Sequence, residues 1–68
     1  MIPIGFEYIS NKYGLERKVH ISILRQFQHY YTGVTMLYVR KESSDGMMWE
    51  GFMPEEEYRR LLELRVKE

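Results

Sequence analysis

The sequence predicts a small α+β domain, with an antiparallel sheet of three or four strands and a C-terminal amphipathic helix packed on one face of that sheet. Three features predict this class: alternating apolar residues near the N-terminus, a hairpin pattern in the second half of the chain, and a helix start at Pro54. The 68 residues contain no linker, repeat or low-complexity tract, so we expect a single domain over residues 1–68.

Composition narrows the class of protein and of site. Of the 68 residues, 44% are hydrophobic, and ten basic side chains balance ten acidic ones, which is typical of a globular domain. The absence of cysteine excludes disulfides, thiolate nucleophiles and cysteine-ligated zinc, and it favours a reducing, cytoplasmic location. The sequence has neither a run of about 20 apolar residues nor a signal-peptide pattern, so we expect no membrane partner.

The N-terminal segment has the pattern of a half-buried strand. Between Ile2 and Tyr8 every second residue is apolar, so one side of the segment is expected to face a core. Pro3 lacks a backbone N–H and fits best at the edge of a sheet, where no neighbouring strand needs that donor. We therefore expect this strand at the edge.

The second element is a β-hairpin that we expect over residues 34–41 and 47–52. Both runs are rich in β-branched, aromatic and methionine side chains, and the turn between them closes on Asp45 and Gly46. Successive side chains of a strand point to opposite faces, so the hairpin presents apolar side chains on both faces. One helix covers only one of these faces, which leaves the other for a partner, a second protomer or the middle of the chain.

The third element is a C-terminal amphipathic helix that we expect over residues 54–66. Pro54 suits the first position of a helix, and the glutamates at 55–57 interact favourably with the positive end of the helix dipole. The apolar side chains that gather on one side of this helix are Tyr58, Leu61, Leu62, Leu64 and Val66. We expect this side to pack on the sheet.

The segment 15–31 fits two patterns. As a strand, it places on one face Val19, Ile21, Ile23, Phe27 and Tyr31. As a helix, it places on one side Leu15, Val19, Ile23, Leu24, Phe27, Tyr30 and Tyr31. We favour the strand, because β-branched residues alternate from Val19 to Ile23 and have low helix propensity, but the pattern leaves both structures open.

No group of residues has the spacing of a catalytic, metal or cofactor site. His20 and His29 are nine residues apart, which does not match the spacing that aims two imidazoles at one metal ion. The only aspartate, Asp45, is explained by the predicted turn, and the five glycines stand singly without a phosphate-binding loop. We therefore expect a protein that is not an enzyme and that holds no cofactor and no metal.

Methionine and aromatic side chains are concentrated around the hairpin. Methionine and tryptophan are enriched where proteins recognise proteins, because thioether chains repack easily and an indole supplies a large contact area. We predict a protein–protein interaction module, such as an accessory, adaptor or inhibitor protein or a self-associating homodimer. The predicted contact residues are Met36, Tyr38, Met47, Met48, Trp49 and Phe52. Size alone further suggests a phage or mobile-element protein.

Nucleic-acid binding is the alternative function. Basic residues and tyrosines are interleaved in the segment 12–41, as in sheets that stack unpaired bases and bind phosphates. The candidate contact residues are Arg17, Lys18, Arg25, Tyr30, Tyr31, Arg40 and Lys41. The net charge of zero argues against this function. Salt separates the two functions, because phosphate binding weakens steeply as the salt concentration rises.

Overall fold

The computed structural model describes residues 2–11 and 14–66, and it shows a four-stranded antiparallel sheet with one helix. The strands lie side by side in chain order. The elements are β1 Gly5–Ser10, β2 Arg17–Gln28, β3 Thr35–Ser43, β4 Met48–Pro54 and α1 Glu55–Leu62. The predicted α+β class is confirmed, and most of the segment 15–31 forms a strand rather than a helix.

The predicted hairpin is confirmed as β3 and β4, and its turn has the predicted chemistry. Gly46 has a φ of 89°, which residues with a side chain rarely adopt. The Asp45 carboxylate accepts hydrogen bonds from the Ser43 hydroxyl and from the Met47 N–H, and it lies 3.3 Å from the Arg17 guanidinium. These two hydrogen bonds lower the pKa of Asp45. Asp45 therefore acts as a turn residue that fixes the register of the hairpin.

The core lies between the sheet and α1. Its buried side chains come from all four strands and from the helix: Phe6, Tyr8, Val19, Ile21, Leu37, Val39, Met53 and Tyr58. Tyr58 is the buried residue of α1. Its ring meets the Phe6 ring edge-on, with centroids 5.1 Å apart, and its hydroxyl donates to the Pro3 carbonyl at 2.8 Å. One helical side chain thus ties α1 to the N-terminal strand region.

A β-bulge at Leu24 reverses the expected faces of β2. The pairing of β2 with β3 shifts by one residue at this position. Because an extra residue interrupts the two-residue alternation, side chains after the bulge point to the face opposite to the one expected. The prediction that Phe27 shares the core face with Val19 is therefore wrong: Phe27 pairs with Met36 and points away from α1. Tyr31 lies beyond the end of β2, in the turn.

The chain returns to β1 after a helix that is shorter than predicted. α1 begins at Glu55, so Pro54 is its N-cap in extended conformation rather than its first helical residue, and α1 ends at Leu62 rather than at residue 66. The Val66 N–H then donates to the Glu7 carbonyl at 2.7 Å, and Arg65 forms an antiparallel bridge with Tyr8. The predicted edge position of β1 is confirmed, and the returning segment covers its outer side.

Candidate protein-interaction surface

The sheet has one face that α1 does not cover, here called the open face. Leu37 and Val39 point from β3 into the core, so their neighbours along β3 point the other way. The pairing of β3 with β2 and β4 places further side chains on the same side. The apolar side chains of the open face include Phe27, Met36, Tyr38, Met48 and Phe52. The hairpin is thus apolar on both faces, as predicted.

Three rings on the open face, Phe27, Tyr38 and Phe52, form what is here called the aromatic cluster. The Phe52 ring meets the Phe27 ring edge-on at 5.7 Å between centroids, and it lies 4.9 Å from the Tyr38 ring. Phe52 is nevertheless 61% exposed and Phe27 44% exposed. Large rings that stay exposed together on a small domain are typical of an interaction surface, because burying them against a partner removes much apolar area from water.

Polar side chains lie beside the aromatic cluster and contact it. The Tyr38 hydroxyl donates to the Glu50 carboxylate at 3.1 Å, and this hydrogen bond raises the pKa of Tyr38. The Nε atom of Arg40 lies 3.3 Å from Glu42, 3.6 Å from Glu50 and 3.0 Å from the sulfur of Met48. Exposed ion pairs of this kind contribute little stability. Their effect is to orient the side chains around the rings.

Charges on the open face balance one another. Among the described residues, the basic and acidic side chains on this face are Lys18, Arg25, Arg40, Glu7, Glu42 and Glu50. Lys18 lies 3.6 Å from Glu7, so this pair is neutral at the sheet edge. A surface with equal numbers of both charges does not attract a phosphate backbone as a basic surface does.

The predicted protein-contact residues lie on two sides of the sheet rather than on one surface. Those on the open face are Met36, Tyr38, Met48 and Phe52. Met47 lies in the turn, and Trp49 points to the side of α1, where the Lys41 Nζ is 5.0 Å from the centre of its ring. Met48 and Trp49 are on opposite sides because they are consecutive in a strand.

Trp49 lies in a groove on the helix side of the sheet. The eight residues of α1 do not reach the hairpin turn, and a groove of about 640 Å³ remains there. Its apolar side chains include Tyr8, Met47, Trp49, Leu61 and Leu64. The chain therefore has a second apolar surface, separated from the aromatic cluster by the thickness of the sheet.

Substituting Gly51 with alanine is expected to move the Trp49 ring, because a Cβ at Gly51 would overlap that ring. The displaced ring enters solvent, so we expect a red shift of tryptophan emission, which reports on this site alone because the chain has one tryptophan. Gly33→Ala is the control: it strains a backbone with a φ of 71° and is expected to leave the emission unchanged. Unshifted emission in Gly51→Ala contradicts the ring position.

The predicted nucleic-acid contacts are spread over both sides and both ends of the sheet. Arg17 pairs with Asp45 and Lys18 with Glu7 at the start of β2, whereas Tyr30 and Tyr31 follow its far end. Arg40 is on the open face and Lys41 on the helix side. Lys12, in the predicted basic segment, lies outside the described residues. Tyr30 and Tyr31 are 91% and 88% exposed, with centroids 5.1 Å apart.

Within residues 2–11 and 14–66, no three histidine, aspartate or glutamate side chains are placed to hold a metal ion. In the same part of the chain no helix is both long and apolar enough to cross a membrane. Comparison of the chain with family models, with curated proteins and with solved structures finds no match.

Proposed function

We propose that this protein is a non-enzymatic interaction module, an adaptor, inhibitor or other accessory protein, that binds a protein partner through the aromatic cluster. The observation that carries this proposal is the exposure of Phe52 and Phe27 on a face that no element of residues 2–11 and 14–66 covers. When a partner buries these rings, apolar area is removed from water and ring-edge contacts form. These are the usual contributions of aromatic residues to binding hot spots.

The polar surroundings of the cluster support a protein partner. Glu50 and Arg40 stand beside the rings and offer hydrogen bonds at the rim of a contact whose centre is apolar. The balanced charge of the open face favours a protein over a nucleic acid, since a nucleic acid requires net positive charge. A cytoplasmic location stays a prediction supported by the lack of cysteine. A phage or mobile-element source stays a prediction from size.

Phe52→Lys is expected to abolish partner binding while leaving the fold intact. The side chain is 61% exposed, so its loss is expected to change the free energy of unfolding by no more than about 1 kcal/mol, whereas loss of a binding hot spot weakens affinity about 30-fold or more. The measurement is photo-crosslinking in an extract of host cells by a chain with benzoylphenylalanine at position 52, with purified wild-type or variant protein added as competitor before irradiation.

Leu15→Lys is the matched control, because it places the same charge on an apolar residue that is 56% exposed, precedes β2 and is not part of the aromatic cluster. We expect wild-type and Leu15→Lys proteins to compete for the crosslinked partner and Phe52→Lys not to compete. Equal competition by both variants contradicts the proposal.

Nucleic-acid binding remains the second candidate, because the Tyr30 and Tyr31 rings are exposed, as rings that stack on nucleic-acid bases must be. Fluorescence anisotropy of labelled single-stranded and duplex oligonucleotides at low and physiological salt tests it. We expect no binding at either salt. Binding that weakens steeply with salt and is lost in a Tyr30→Ala, Tyr31→Ala double variant favours the nucleic-acid function instead.

A further inference from the structure

The two edges of the sheet differ in whether they are covered. At β1, the Val66 N–H donates to Glu7 and Arg65 bridges to Tyr8, so the returning segment covers the edge. At β4, no further strand is present in the part of the chain that the structure describes, although this strand is seven residues long. Long uncovered edge strands are templates for pairing with another strand.

The hydrogen-bond pattern of the hairpin identifies the groups of β4 that point outward. The Ser43 N–H donates to the Met47 carbonyl at 2.8 Å, so these two residues form a hydrogen-bonded pair across the hairpin. Along an antiparallel ladder such pairs alternate with pairs whose N–H and C=O groups point away. The residues with outward-pointing groups are Met48, Glu50, Phe52 and Pro54. Pro54 fits this alternation, because its missing N–H is at a position where β3 requires no donor.

We propose that β4 pairs antiparallel with β4 of a second copy of this chain, so that the two sheets join into one. β4 has apolar side chains on both faces, so pairing of two copies removes apolar area from water on both sides of the joined sheet. The net charge of the chain is zero, so two copies do not repel each other as copies of a highly charged domain do. Antiparallel pairing of a strand with itself also satisfies two-fold symmetry, the commonest symmetry of homodimers.

The register of the pairing depends on which residue of β4 lies at the two-fold axis. Two of the registers that bring outward-pointing groups together are unfavourable. An axis at Glu50 places two carboxylates directly opposite each other, which is destabilising in a sheet. An axis at Trp49 shortens the paired stretch and leaves the outward-pointing groups of Phe52 beyond its end.

An axis at Gly51 brings together the outward-pointing residues in the middle of β4. It pairs Glu50 of each copy with Phe52 of the other. This gives about four main-chain hydrogen bonds, because each of the two exchanged pairs contributes two, while the Pro54 carbonyl, at the N-cap of α1, accepts within the helix. Glu50 then lies beside an aromatic ring rather than beside a second carboxylate.

The surroundings of Gly51 fit an axis at this residue. Opposed residues of this type approach to about 4.5 Å between Cα atoms, so a residue without a side chain is favourable there. The Trp49 ring occupies the space beside Gly51 on the helix side, and the axis brings the two Trp49 rings together over the glycines. On the open face the axis brings the two aromatic clusters together through Phe52.

Sedimentation equilibrium from about 1 µM to about 1 mM chain tests the association, since a dimer forms by mass action. We expect the wild-type mass to approach twice the 8.3 kDa of the chain. Glu50→Pro removes an outward-pointing N–H, so we expect a folded monomer. Because proline also restrains φ, a synthetic chain with an N-methyl group on Glu50 serves as the second variant and is expected to be monomeric as well.

Disulfide crosslinking tests the register, because the chain has no cysteine of its own. The Cβ of Gly51→Cys displaces the exposed Trp49 ring but leaves the outward-pointing main-chain groups of β4 in place. We therefore expect Gly51→Cys to crosslink fastest under mild oxidation, since its Cα separation at the axis lies within disulfide range. Glu50→Cys and the exposed control Met47→Cys are expected to react at least ten-fold more slowly. Faster crosslinking of Glu50→Cys overturns the Gly51 axis.

Other results overturn the pairing itself. A folded wild-type chain that stays monomeric at about 1 mM excludes a second copy as the occupant of this edge. A dimer that persists in both Glu50 variants uses another surface. The inference goes beyond the proposed function and fails separately from it, because a monomeric chain that still crosslinks a partner at position 52 retains the proposed function without the dimer.

Discussion

Tyr58→Ala is expected to leave most of the protein unfolded at room temperature. Tyr58 is fully buried, packs edge-on against Phe6 and donates a hydrogen bond to the Pro3 carbonyl. Truncation of a large core aromatic costs about 3–5 kcal/mol. Domains of this size rarely draw more than about 3–5 kcal/mol from their core, so this single loss is comparable to the whole free energy of unfolding.

Tyr58→Phe is the matched variant, because it keeps the ring and removes only the hydroxyl. The Pro3 carbonyl loses its partner, and we expect a cost of about 1–2 kcal/mol. Urea unfolding of both variants, followed by far-ultraviolet circular dichroism, measures the difference. Tyr58→Ala that stays as stable as Tyr58→Phe contradicts the central position of this ring in the core.

The local patterns of the chain predict much of the fold. Alternation of apolar residues depends only on the two-residue period of a strand, so it placed Phe6 and Tyr8 on the core side correctly. The turn at Asp45 and Gly46 and the helix start at Pro54 depend on backbone chemistry within a few residues of each other. Short-range causes of this kind are visible in the sequence.

The remaining features depend on contacts between distant parts of the chain. The bulge at Leu24 has no sequence signal, yet it decides that Phe27 joins the aromatic cluster rather than the core. The apolar period of the helix continues past Leu62, but Val66 instead satisfies the backbone of Glu7. The pattern of apolar residues in the C-terminal segment does not show that β1 has a sheet edge to which this segment can bond.

The candidate surface shows the same limit. The sequence identified the apolar hairpin and the fact that one helix covers only one of its faces, and it included Tyr38 and Phe52 among the contact residues. The sequence did not show that Trp49 lies on the other side of the sheet from Tyr38 and Phe52. The side that Trp49 occupies follows from the register and from the position of α1. The missing ring, Phe27, required knowledge of the bulge.

Alkaline pH is expected to destabilise this protein through its two buried tyrosines. Burial raises the pKa of Tyr8 above its ordinary value, with a further contribution from the Glu57 carboxylate, and burial also raises the pKa of Tyr58. In the unfolded chain both phenols ionise near pH 10. Above that pH the unfolded state loses protons that the folded state still holds, so the free energy of unfolding falls as the pH rises.

The fall is at most about 1.4 kcal/mol per pH unit for each tyrosine, between pH 10 and the raised pKa of that tyrosine in the folded state. Because the total stability is only a few kcal/mol, we expect a fall of this origin to be measurable. Urea unfolding from pH 8 to pH 12 measures this slope. We expect Tyr58→Phe, which is less stable at pH 8, to lose stability less steeply than the wild-type protein. Tyr30→Phe, which removes the hydroxyl of an exposed ring, is the matched control. Equal slopes in Tyr58→Phe and the wild-type protein contradict the prediction, because ionisation of the buried ring of α1 then does not contribute to the fall.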